Sequence, residues 1–251
     1  METKTIDRIV EILAGSKNNV VVTGAGISTE AGIPDFRGEK GIYRTLGEDR
    51  VMSILNISFF KKNPHAFYEF YRKYFIFPAV EPGLAHRVLA DMEKRGYIKA
   101  IVTQNIDNLH QRAGSKRVIP VHGTADRYIC TGVGCYASYD DEYVRRSSEV
   151  VPTCAVCGGI LKPDVVLFGE PIQNHRYARE TILGAKVLVV IGSSLTVFPL
   201  AGFVEEFSRS AKDLIIINKG KTGMDHAATI KLDTDQTGAA LEEINRRLIS
   251  R

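Results

Sequence analysis

The chain has 251 residues, of which 44% are hydrophobic and 25% are charged, and its formal net charge is +4. This composition is typical of a globular chain of one or two domains with a full core, and it excludes an intrinsically disordered protein. No apolar run approaches the ~20 residues that a membrane helix needs, so a membrane-spanning protein is excluded as well. The charge is too mild to indicate nucleic-acid binding and is equally compatible with an acidic ligand such as a dinucleotide.

The N-terminal residues lack the basic and then apolar regions of a secretory signal peptide. We therefore expect a cytoplasmic protein, in which disulfides are rare.

The first helix is predicted over 5–14, where apolar residues recur at helical spacing. A β-branched strand over 19–23 then runs into Gly24-Ala25-Gly26-Ile27-Ser28, a turn whose backbone N–H groups can hold a pyrophosphate. The Rossmann fingerprint is incomplete, because Thr29 stands where it requires a third glycine and no acidic strand end follows about 20 residues on. The turn therefore indicates a dinucleotide, while its context argues against an ordinary dehydrogenase.

Short apolar runs predict the strands of a sheet, with helical patterns between them. Continuous rather than alternating runs suit strands that are buried on both faces of a parallel sheet. The strands are predicted at 19–23, 100–104, 117–121, 164–168, 187–191 and 214–217. The helices that follow the first are predicted at about 84–95, 176–184, 200–210 and 238–249. This alternation predicts an α/β fold with a doubly wound parallel sheet.

Two regions interrupt the alternation. Residues 38–77 contain many aromatics and no convincing strand. We interpret them as a helical insertion with a packed aromatic core rather than a base-stacking surface, because aromatic side chains contribute mainly by burying large apolar areas. The aromatics are Phe59, Phe60, Phe67, Tyr68, Phe70, Tyr71, Tyr74, Phe75 and Phe77. Residues 126–160 contain all four cysteines, and we interpret this segment as a small insertion stabilised by a metal ion.

The cysteines form two short-spaced pairs, Cys130 with Cys135 and Cys154 with Cys157. Two such pairs supply the four thiolates of a tetrahedral zinc site, and nearby glycines permit the tight turns. Because the site would use every cysteine, it is predicted to be structural, with no open position for catalysis. The alternatives are a redox-active pair at Cys154 and Cys157 or four unrelated buried thiols. The segment mixes acidic and basic residues, so it is not a basic patch for nucleic acid.

Polar residues lie at the ends of strands 100–104 and 117–121, where ligands bind in open α/β sheets. Amides and carboxylates such as Asn105 and Asp107 can hydrogen-bond ribose hydroxyls or a carboxamide, and a histidine such as His122 can transfer a proton near neutral pH. Taken singly, Asp107 could be a helix N-cap and His122 a buried core imidazole. Taken together beside the glycine turn, they indicate a site.

These motifs resemble, in order, those of the sirtuins, which are NAD-dependent protein-lysine deacylases, and the chain is similar to the bacterial or archaeal type with a single pair of domains. The resemblance covers nearly the whole chain, from about 5 to 249. It is carried by Gly24-Ala25-Gly26-Ile27-Ser28, Gly32-Ile33-Pro34-Asp35-Phe36-Arg37, Thr103-Gln104-Asn105-Ile106-Asp107, His122-Gly123, the two cysteine pairs, Phe168-Gly169-Glu170 and Gly192-Ser193-Ser194-Leu195-Thr196-Val197 with Pro199.

The resemblance implies a Rossmann-like NAD-binding domain and a smaller domain made of a helical module and a zinc-ribbon module, with a cleft between the two domains. The large domain would be discontinuous and comprise 1–37, 78–125 and 161–251. The small domain would comprise the helical module 38–77 and the zinc module 126–160.

The resemblance also implies roles for individual residues. His122 would be the general base, with Asn105 and Asp107 as further catalytic residues in the nicotinamide pocket. The NAD-binding residues would be Gly24, Ala25, Gly26, Ser28, Phe36, Arg37, Gln104, Asn105, Ile106, Asp107, Gly192, Ser193, Ser194, Asn218 and Lys219. The acyl-lysine peptide would be held as an added β-strand. Its contacts would be Val166, Phe168, Gly169, Glu170, Leu195, Val197 and Phe198.

A sirtuin uses NAD as an electrophile, which agrees with the incomplete dehydrogenase fingerprint. The implied products are nicotinamide, O-acetyl-ADP-ribose and free lysine, with one structural zinc ion outside the chemistry. Ile42 offers no anchor for a carboxylate-bearing acyl group, which favours short uncharged ones. We expect a monomer that binds neither membrane nor nucleic acid directly. The alternatives are protein mono-ADP-ribosyl transfer on the same scaffold and a non-catalytic NAD-sensing or DNA-associated module.

Overall fold

The structure is a computed structural model that describes residues 2–38, 41–76 and 80–251. Its strands, in chain order, are β1 (Asn19–Thr23), β2 (Ala100–Thr103), β3 (Val118–Pro120), β4 (Gly123–Cys130), β5 (Ser138–Asp140), β6 (Leu161–Val165), β7 (Val187–Ile191), β8 (Asp213–Ile217) and β9 (Ile230–Leu232). Its α-helices are α1 (Glu2–Ala14), α2 (Ile42–Leu46), α3 (Glu48–Ile54), α4 (Ile57–Lys62), α5 (Pro64–Tyr74), α6 (Leu84–Lys94), α7 (Leu109–Arg112), α8 (Asp141–Arg146), α9 (His175–Gly184), α10 (Leu200–Ser208) and α11 (Thr237–Ile249). Short 3-10 helices lie at Ala25–Ala31 and Asp225–Ala227.

The larger sheet has the strand order β3-β2-β1-β7-β8-β9, and every neighbouring pair is parallel. Successive residues of β1 face opposite sides of it: Val21 packs with α1, α6 and α11, while Val20 and Val22 pack with α9 and α10. Both faces are therefore covered by helices, which is why β1 and β7 are buried at every position. The predicted α/β fold is confirmed, and so are the five predicted helices, whose ends move by at most three residues.

The strand predicted at 164–168 is wrong in position and in sheet. The strand is β6, and it pairs antiparallel with β4 in a second sheet of order β5-β4-β6. The apolar run beyond Val165 does not continue the strand, because the backbone of Phe168 pairs instead with Leu55 and Ile57 of the helical insertion. Strands β4, β5 and β9 were not predicted; in β9, Lys231 separates Ile230 from Leu232 and leaves no continuous apolar run.

The helical insertion contains α2 to α5, and its aromatics form the predicted core. Phe67, Tyr71 and Phe75 stack in succession, with ring centroids 5.5 Å apart in both pairs. The Tyr68 hydroxyl donates to the carbonyl of Leu161 at 2.5 Å, which ties this core to the second sheet. Phe77 lies outside the described residues. None of the helices in the described ranges combines the length and the apolar character needed to span a bilayer.

Candidate active site

Two glycine turns meet where β1 and β7 end. The N–H of Gly26 donates to the carbonyl of Gly192 at 2.9 Å. A Cβ on Gly26 would lie 2.8 Å from the Cα of Gly192, and one on Gly192, whose φ is +61°, would lie 2.7 Å from the carbonyl carbon of Gly26. Only glycine fits at either position. The turn is followed by the 3-10 helix Ala25–Ala31 rather than an α-helix, and it opens at the carboxyl edge of the parallel sheet, where ligands bind in such folds.

Ser28, Asn105 and Asp107 come together beside this turn although 77 and 79 residues separate the serine from the other two. The Ser28 hydroxyl donates to Asp107 Oδ2 at 2.7 Å and accepts from Asn105 Nδ2 at 3.1 Å. The other carboxylate oxygen, Oδ1, accepts from the N–H of Leu109 at 3.0 Å, at the start of α7. Asp107 therefore supports the helix start with one oxygen and faces the polar cluster with the other, although the formal N-cap position is taken by Asn108.

Gln104 links the ends of β1, β2 and β7. Its N–H donates to the carbonyl of Thr23 at 3.0 Å, and its side-chain Oε1 accepts from the Ser193 hydroxyl at 2.9 Å. Gln104 and Ser193, both predicted to bind NAD, are thus in direct contact with each other.

His122 follows β3 and is oriented by a backbone carbonyl. Its Nδ1 lies 2.9 Å from the carbonyl oxygen of Gln104, and because a carbonyl only accepts, Nδ1 carries the proton and Nε2 is left with a free lone pair. Burial lowers the pKa of His122 below its ordinary value, and the hydrogen bond to Gln104 only partly opposes this effect. The imidazole is therefore neutral near pH 7 and able to accept a proton at Nε2.

Phe36 and Arg37 face the helical insertion. The ring of Phe36 packs edge-on against Tyr43 at 5.3 Å, and the Arg37 guanidinium lies 4.8 Å from the centre of the same ring. Arg37 also pairs with Glu48 at 2.5 Å. Both partners are partly exposed, and such pairs contribute at most about 1 kcal/mol, so Arg37 can exchange Glu48 for another anion.

Asn218 and Lys219 follow β8. The N–H of Asn218 donates to the carbonyl of Leu232 in the neighbouring β9 at 3.1 Å, and Lys219 Nζ lies 3.3 Å from Asp235 Oδ2. A cavity of about 480 Å³ opens at this point, between the ends of β8 and β9 and the first turn of α11. Lys219 and Asp235 both line it.

The two segments predicted to hold a peptide are anchored differently. Phe168 already uses its backbone N–H and carbonyl on Leu55 and Ile57 at 2.9 and 3.0 Å, and Val166 donates to the carbonyl of His122 at 2.9 Å. Phe198, in the other segment, is 68% exposed. The remaining members divide as follows: Leu195 is buried in the core, Gly169 is exposed, and Glu170 and Val197 are half-buried.

The four cysteine Sγ atoms lie within 4.8 Å of one another. Cys130 and Cys157 approach to 3.3 Å and Cys135 and Cys154 to 3.8 Å, which compares with the ~3.8 Å edge of a tetrahedron with Zn–S bonds of ~2.3 Å. The closest contacts join cysteines of different pairs, as expected when two knuckles enclose one ion. The four thiols therefore fit one zinc ion.

The glycines of the knuckles are required by this geometry. The N–H of Gly132 donates to Cys130 Sγ at 3.3 Å, and the N–H of Gly159 donates to Cys157 Sγ at 3.4 Å. A Cβ on Gly132 would lie 2.8 Å from Cys157 Sγ. These N–H groups stabilise thiolate charge, which supports metal binding over four neutral thiols.

Sequence reasoning missed one part of the site, a pair of buried histidines beneath Ser28. His86 lies on α6 and His110 on α7, and their rings are in edge contact at 4.9 Å. His86 lies one turn before Leu89 on the buried face of α6, so a histidine in an otherwise apolar helical stripe was the available signal.

Comparisons with known proteins agree with this geometry. The model of the Sir2 family matches residues 24–199. The NAD-dependent protein deacetylase of Clostridium tetani is 42% identical over 248 residues, which are 97% of this chain and 98% of the relative. A solved structure reported as the structural basis for the mechanism and regulation of Sir2 enzymes superposes with a TM-score of 0.88 at 41% identity. The superposition covers 100% of this chain and 99% of the chain in that structure. A complex of Sir2 with a p53 peptide and NAD⁺ gives a TM-score of 0.83 at 37% identity, covering 98% and 97% of the two chains.

These findings confirm the resemblance stated from the sequence, together with the fold class and the dependence on NAD. The family match spans both glycine turns, all four cysteines and His122, which are the features assembled above. The chain belongs to the Sir2 family, the sirtuins.

Proposed function

We propose that the chain is an NAD-dependent protein-lysine deacetylase. It transfers the acetyl group of a modified lysine to ADP-ribose, consumes one water, and releases nicotinamide and free lysine. The observation that carries this proposal is the convergence of Asn105, Asp107 and His122 beside the glycine turn, with His122 neutral and its Nε2 free. A non-catalytic NAD sensor would not need a base prepared in this way.

NAD supplies the electrophilic ribose carbon when it is bound, and the turn residues fit its phosphates. The backbone N–H group of Ala25 and the hydroxyl of Ser193 would hold the pyrophosphate, and Gly26, whose own N–H is bonded to Gly192, would permit the close approach of the backbone. Arg37 would release Glu48 and contribute the positive charge. The further members of the phosphate-binding set would be Gly24, Gly192 and Ser194.

The nicotinamide end would lie against Asn105, Ile106 and Asp107, with Phe36 covering the reactive sugar. An ionised carboxylate offers about four lone-pair sites, and among the described residues Asp107 accepts hydrogen bonds from Ser28 and Leu109 alone. A carboxamide NH₂ can therefore donate to Asp107 without displacing either partner.

His122 would act as general base on a ribose hydroxyl. The Gln104 carbonyl keeps the proton on Nδ1, so that Nε2 accepts the hydroxyl proton. Gln104 would also bind the same ribose through its side chain, after exchanging the hydrogen bond from Ser193. One residue would thus orient both the base and the sugar.

The adenosine end would occupy the 480 Å³ cavity at the carboxyl ends of β8 and β9, which α11 and Ile6 of α1 also line. Asn218 would bind the adenosine ribose, and Lys219 would lie beside it. A bound NAD would run from this cavity to the Gly24 turn along the carboxyl edge of the sheet, because β1, β7 and β8 are consecutive neighbours there.

The acyl-lysine peptide would bind as an added strand between 166–170 and 195–198. Because Phe168 already bonds Leu55 and Ile57, the peptide would use the other edge of this segment, including the exposed Gly169. Leu195 would contribute its backbone only, because its side chain is buried in the core. The remaining contacts would be Val166, Glu170, Val197 and Phe198. The buried Ile42 supports the preference for short uncharged acyl groups.

We also propose the domain division predicted from the sequence, with the Rossmann-like domain at 1–37, 78–125 and 161–251. Support comes from the separate apolar core that α2 to α5 share with the cysteine-bearing segment. Strand β4 crosses the first boundary of the zinc module, and its antiparallel partner β6 begins at the second, so this pair would connect the two domains. The protein would act as a cytoplasmic monomer that does not bind nucleic acid directly.

The proposed function is tested by incubating the purified protein with an acetyl-lysine peptide, with and without NAD, and measuring the mass of the peptide by mass spectrometry. Loss of the acetyl group only when NAD is present is the expected result. A peptide that gains ADP-ribose instead would indicate mono-ADP-ribosyl transfer. An unchanged peptide would indicate an NAD-sensing or DNA-associated module and would contradict the proposal.

A further inference from the structure

The polar cluster of the nicotinamide pocket rests on a second, fully buried tier of polar side chains. His86 and His110 are 0% and 1% exposed, and Thr23 between the strands is 0% exposed. His86 Nε2 lies 3.4 Å from Ser28 Oγ, and His110 Nε2 lies 2.9 Å from Thr23 Oγ1. This tier is out of reach of a bound peptide or dinucleotide, so any influence on the reaction must pass through the residues above it.

The direction of the hydrogen bonds between the histidines and the hydroxyls follows from the fact that each hydroxyl has a single proton to donate. The single Ser28 proton is directed to Asp107, so Ser28 Oγ is an acceptor toward His86 and the imidazole must donate from Nε2. Likewise the Thr23 hydroxyl donates to Thr103 Oγ1 at 2.8 Å and therefore accepts from His110 Nε2–H. Both imidazoles are consequently neutral Nε2–H tautomers.

Two further observations agree with this assignment. Within the described part of the chain, the Nδ1 atoms of both histidines are buried and have no hydrogen-bond partner, as expected for nitrogens that carry a lone pair and no proton. Burial lowers the pKa of His86 to about 4 and that of His110 to about 3, so neither ring is charged in the pH range of an enzyme assay. A pair of well-packed apolar residues would avoid two unsatisfied nitrogens, so stability alone does not explain why histidines occupy these positions.

We propose that His86 is a positioning residue of the nicotinamide pocket, which donates from Nε2 to Ser28 and thereby commits the Ser28 proton to Asp107. The inference rests on the proposed function, because it concerns the pocket in which Asp107 would bind nicotinamide. Without the His86 donor, the Ser28 hydroxyl keeps Asn105 Nδ2 as its donor, is held less firmly, and fixes Asp107 Oδ2 less well. His110 supports the same pocket by a second route, since Thr103 Oγ1 also accepts from the N–H of Asn105 at 3.0 Å.

The test uses two substitutions of His86 that differ in hydrogen bonding. In His86→Gln the side-chain amide reaches the place of Nε2 and retains a donor, whereas His86→Leu removes it. We expect His86→Leu to slow nicotinamide–NAD exchange and to raise the nicotinamide concentration for half-inhibition, each by about 3- to 10-fold, the effect of one lost hydrogen bond. The KM for the acetyl-lysine peptide is expected to stay unchanged in both variants, and His86→Gln to stay close to the wild type in exchange.

Val88→Ala is the matched control for stability, because Val88 is buried on the same helix and belongs to the apolar core. It should lower the melting temperature without changing the nicotinamide concentration for half-inhibition. A double-mutant cycle with Ser28→Ala identifies the route. If His86 acts through Ser28, the His86→Leu substitution adds little to the exchange defect of Ser28→Ala, whereas independent effects would add in free energy.

A folded His86→Leu variant with normal exchange and normal nicotinamide inhibition would overturn the inference, and so would additive effects in the cycle. Should His86→Leu fail to fold, His86→Asn replaces it, because the shorter amide cannot reach Ser28 while it keeps the polarity of His86→Gln. Equal exchange in the Asn and Gln variants would then overturn the inference. Failure of the wild type to deacetylate would instead overturn the proposed function, and the inference with it.

Discussion

Single residues in this site use part of their hydrogen-bonding capacity to hold the fold together, and the rest is available for the proposed ligand. Asp107 gives one oxygen to the start of α7 and the other to Ser28, and His122 gives Nδ1 to a carbonyl and keeps Nε2 free. Asp107 therefore supports a helix start and His122 is held by a backbone carbonyl, while the roles of both residues toward NAD stay predictions. A substitution that keeps the hydrogen bond to the fold and removes the atom proposed to contact the ligand separates the two roles.

Asp107→Asn is expected to keep the melting temperature and to impair nicotinamide chemistry. Asn can still accept from the N–H of Leu109, and Asn and Asp support a helix start about equally well. An NH₂ group replaces the second carboxylate oxygen, which accepts from the Ser28 hydroxyl and is the acceptor proposed for the carboxamide. Thermal melting, deacetylation and nicotinamide exchange are measured on one preparation, and undiminished exchange would show that Asp107 serves the helix alone.

His122→Ala is expected to reduce peptide deacetylation by roughly 10²–10⁴-fold, the usual contribution of a general base. Nicotinamide exchange should fall less, because the bond to nicotinamide breaks before the ribose hydroxyl must lose its proton. A histidine needed only for packing predicts a different result, in which both rates fall together with the folded fraction. Near-normal deacetylation by folded His122→Ala would contradict the mechanism.

The pH profile of deacetylation provides a further check on His122. Because burial lowers its pKa, the neutral, active form persists below pH 6.5, the ordinary pKa of histidine. The acid limb of kcat/KM should therefore fall off at a pH lower than 6.5 as Nε2 becomes protonated. An acid limb above pH 6.5 in the wild type would contradict the assignment, and the residual activity of His122→Ala should lack the limb.

At the scale of elements, the sequence predicted what depends on local pattern and missed what depends on distant pairing. The buried runs of β1, β7 and β8 were predicted because both faces of a parallel sheet demand apolar residues. The run at 164–168 has the same appearance, yet only its first two residues lie in a strand, because β4 supplies an antiparallel partner that no local signal reveals. The polar residues at the strand ends were predicted as site residues from the rule for parallel sheets, whereas His86 was not considered, because its contact with Ser28 joins residues 58 positions apart.

The two glycine turns give an element-scale prediction with a matched control. Gly192→Ala must place a Cβ against the backbone of Gly26 in addition to adopting a positive φ, whereas Gly96→Ala has a φ of +82° and nothing within 4 Å of the new Cβ. Strain at a positive φ alone costs about 1–2 kcal/mol, so Gly96→Ala should be mildly destabilised and retain full NAD affinity. Gly192→Ala should lose more stability and most of its NAD affinity, measured by denaturant unfolding and calorimetric titration. Equal behaviour of the two variants would contradict the close approach of the turns.

For the whole molecule, three apolar clusters divide the described chain into the two faces of the parallel sheet and one separate core. The separate core joins the stacked aromatics of α5 to Cys130 and Cys154, so the helical insertion and the cysteine segment stabilise each other. Neither segment is long enough to bury a substantial core alone, and a metal ion is a usual remedy for small cores. The cysteine segment therefore contributes to this core, and we expect its proposed zinc ion to act on stability.

Zinc removal is consequently predicted to act on folding. Cys157→Ser should lose the ion, lower the melting temperature and reduce activity in proportion to the folded fraction, because thiolate ligation couples metal binding to folding. Val156→Ser is the matched control: Val156 lies in the same knuckle and is 77% exposed, so this variant should keep one zinc ion per chain, its melting temperature and its activity. Zinc content by elemental analysis, melting and deacetylation are compared in the two variants. A metal-free Cys157→Ser protein that melts normally and is fully active would show that the four thiols pack without needing an ion, whereas stable protein with abolished activity would place the metal in the chemistry itself.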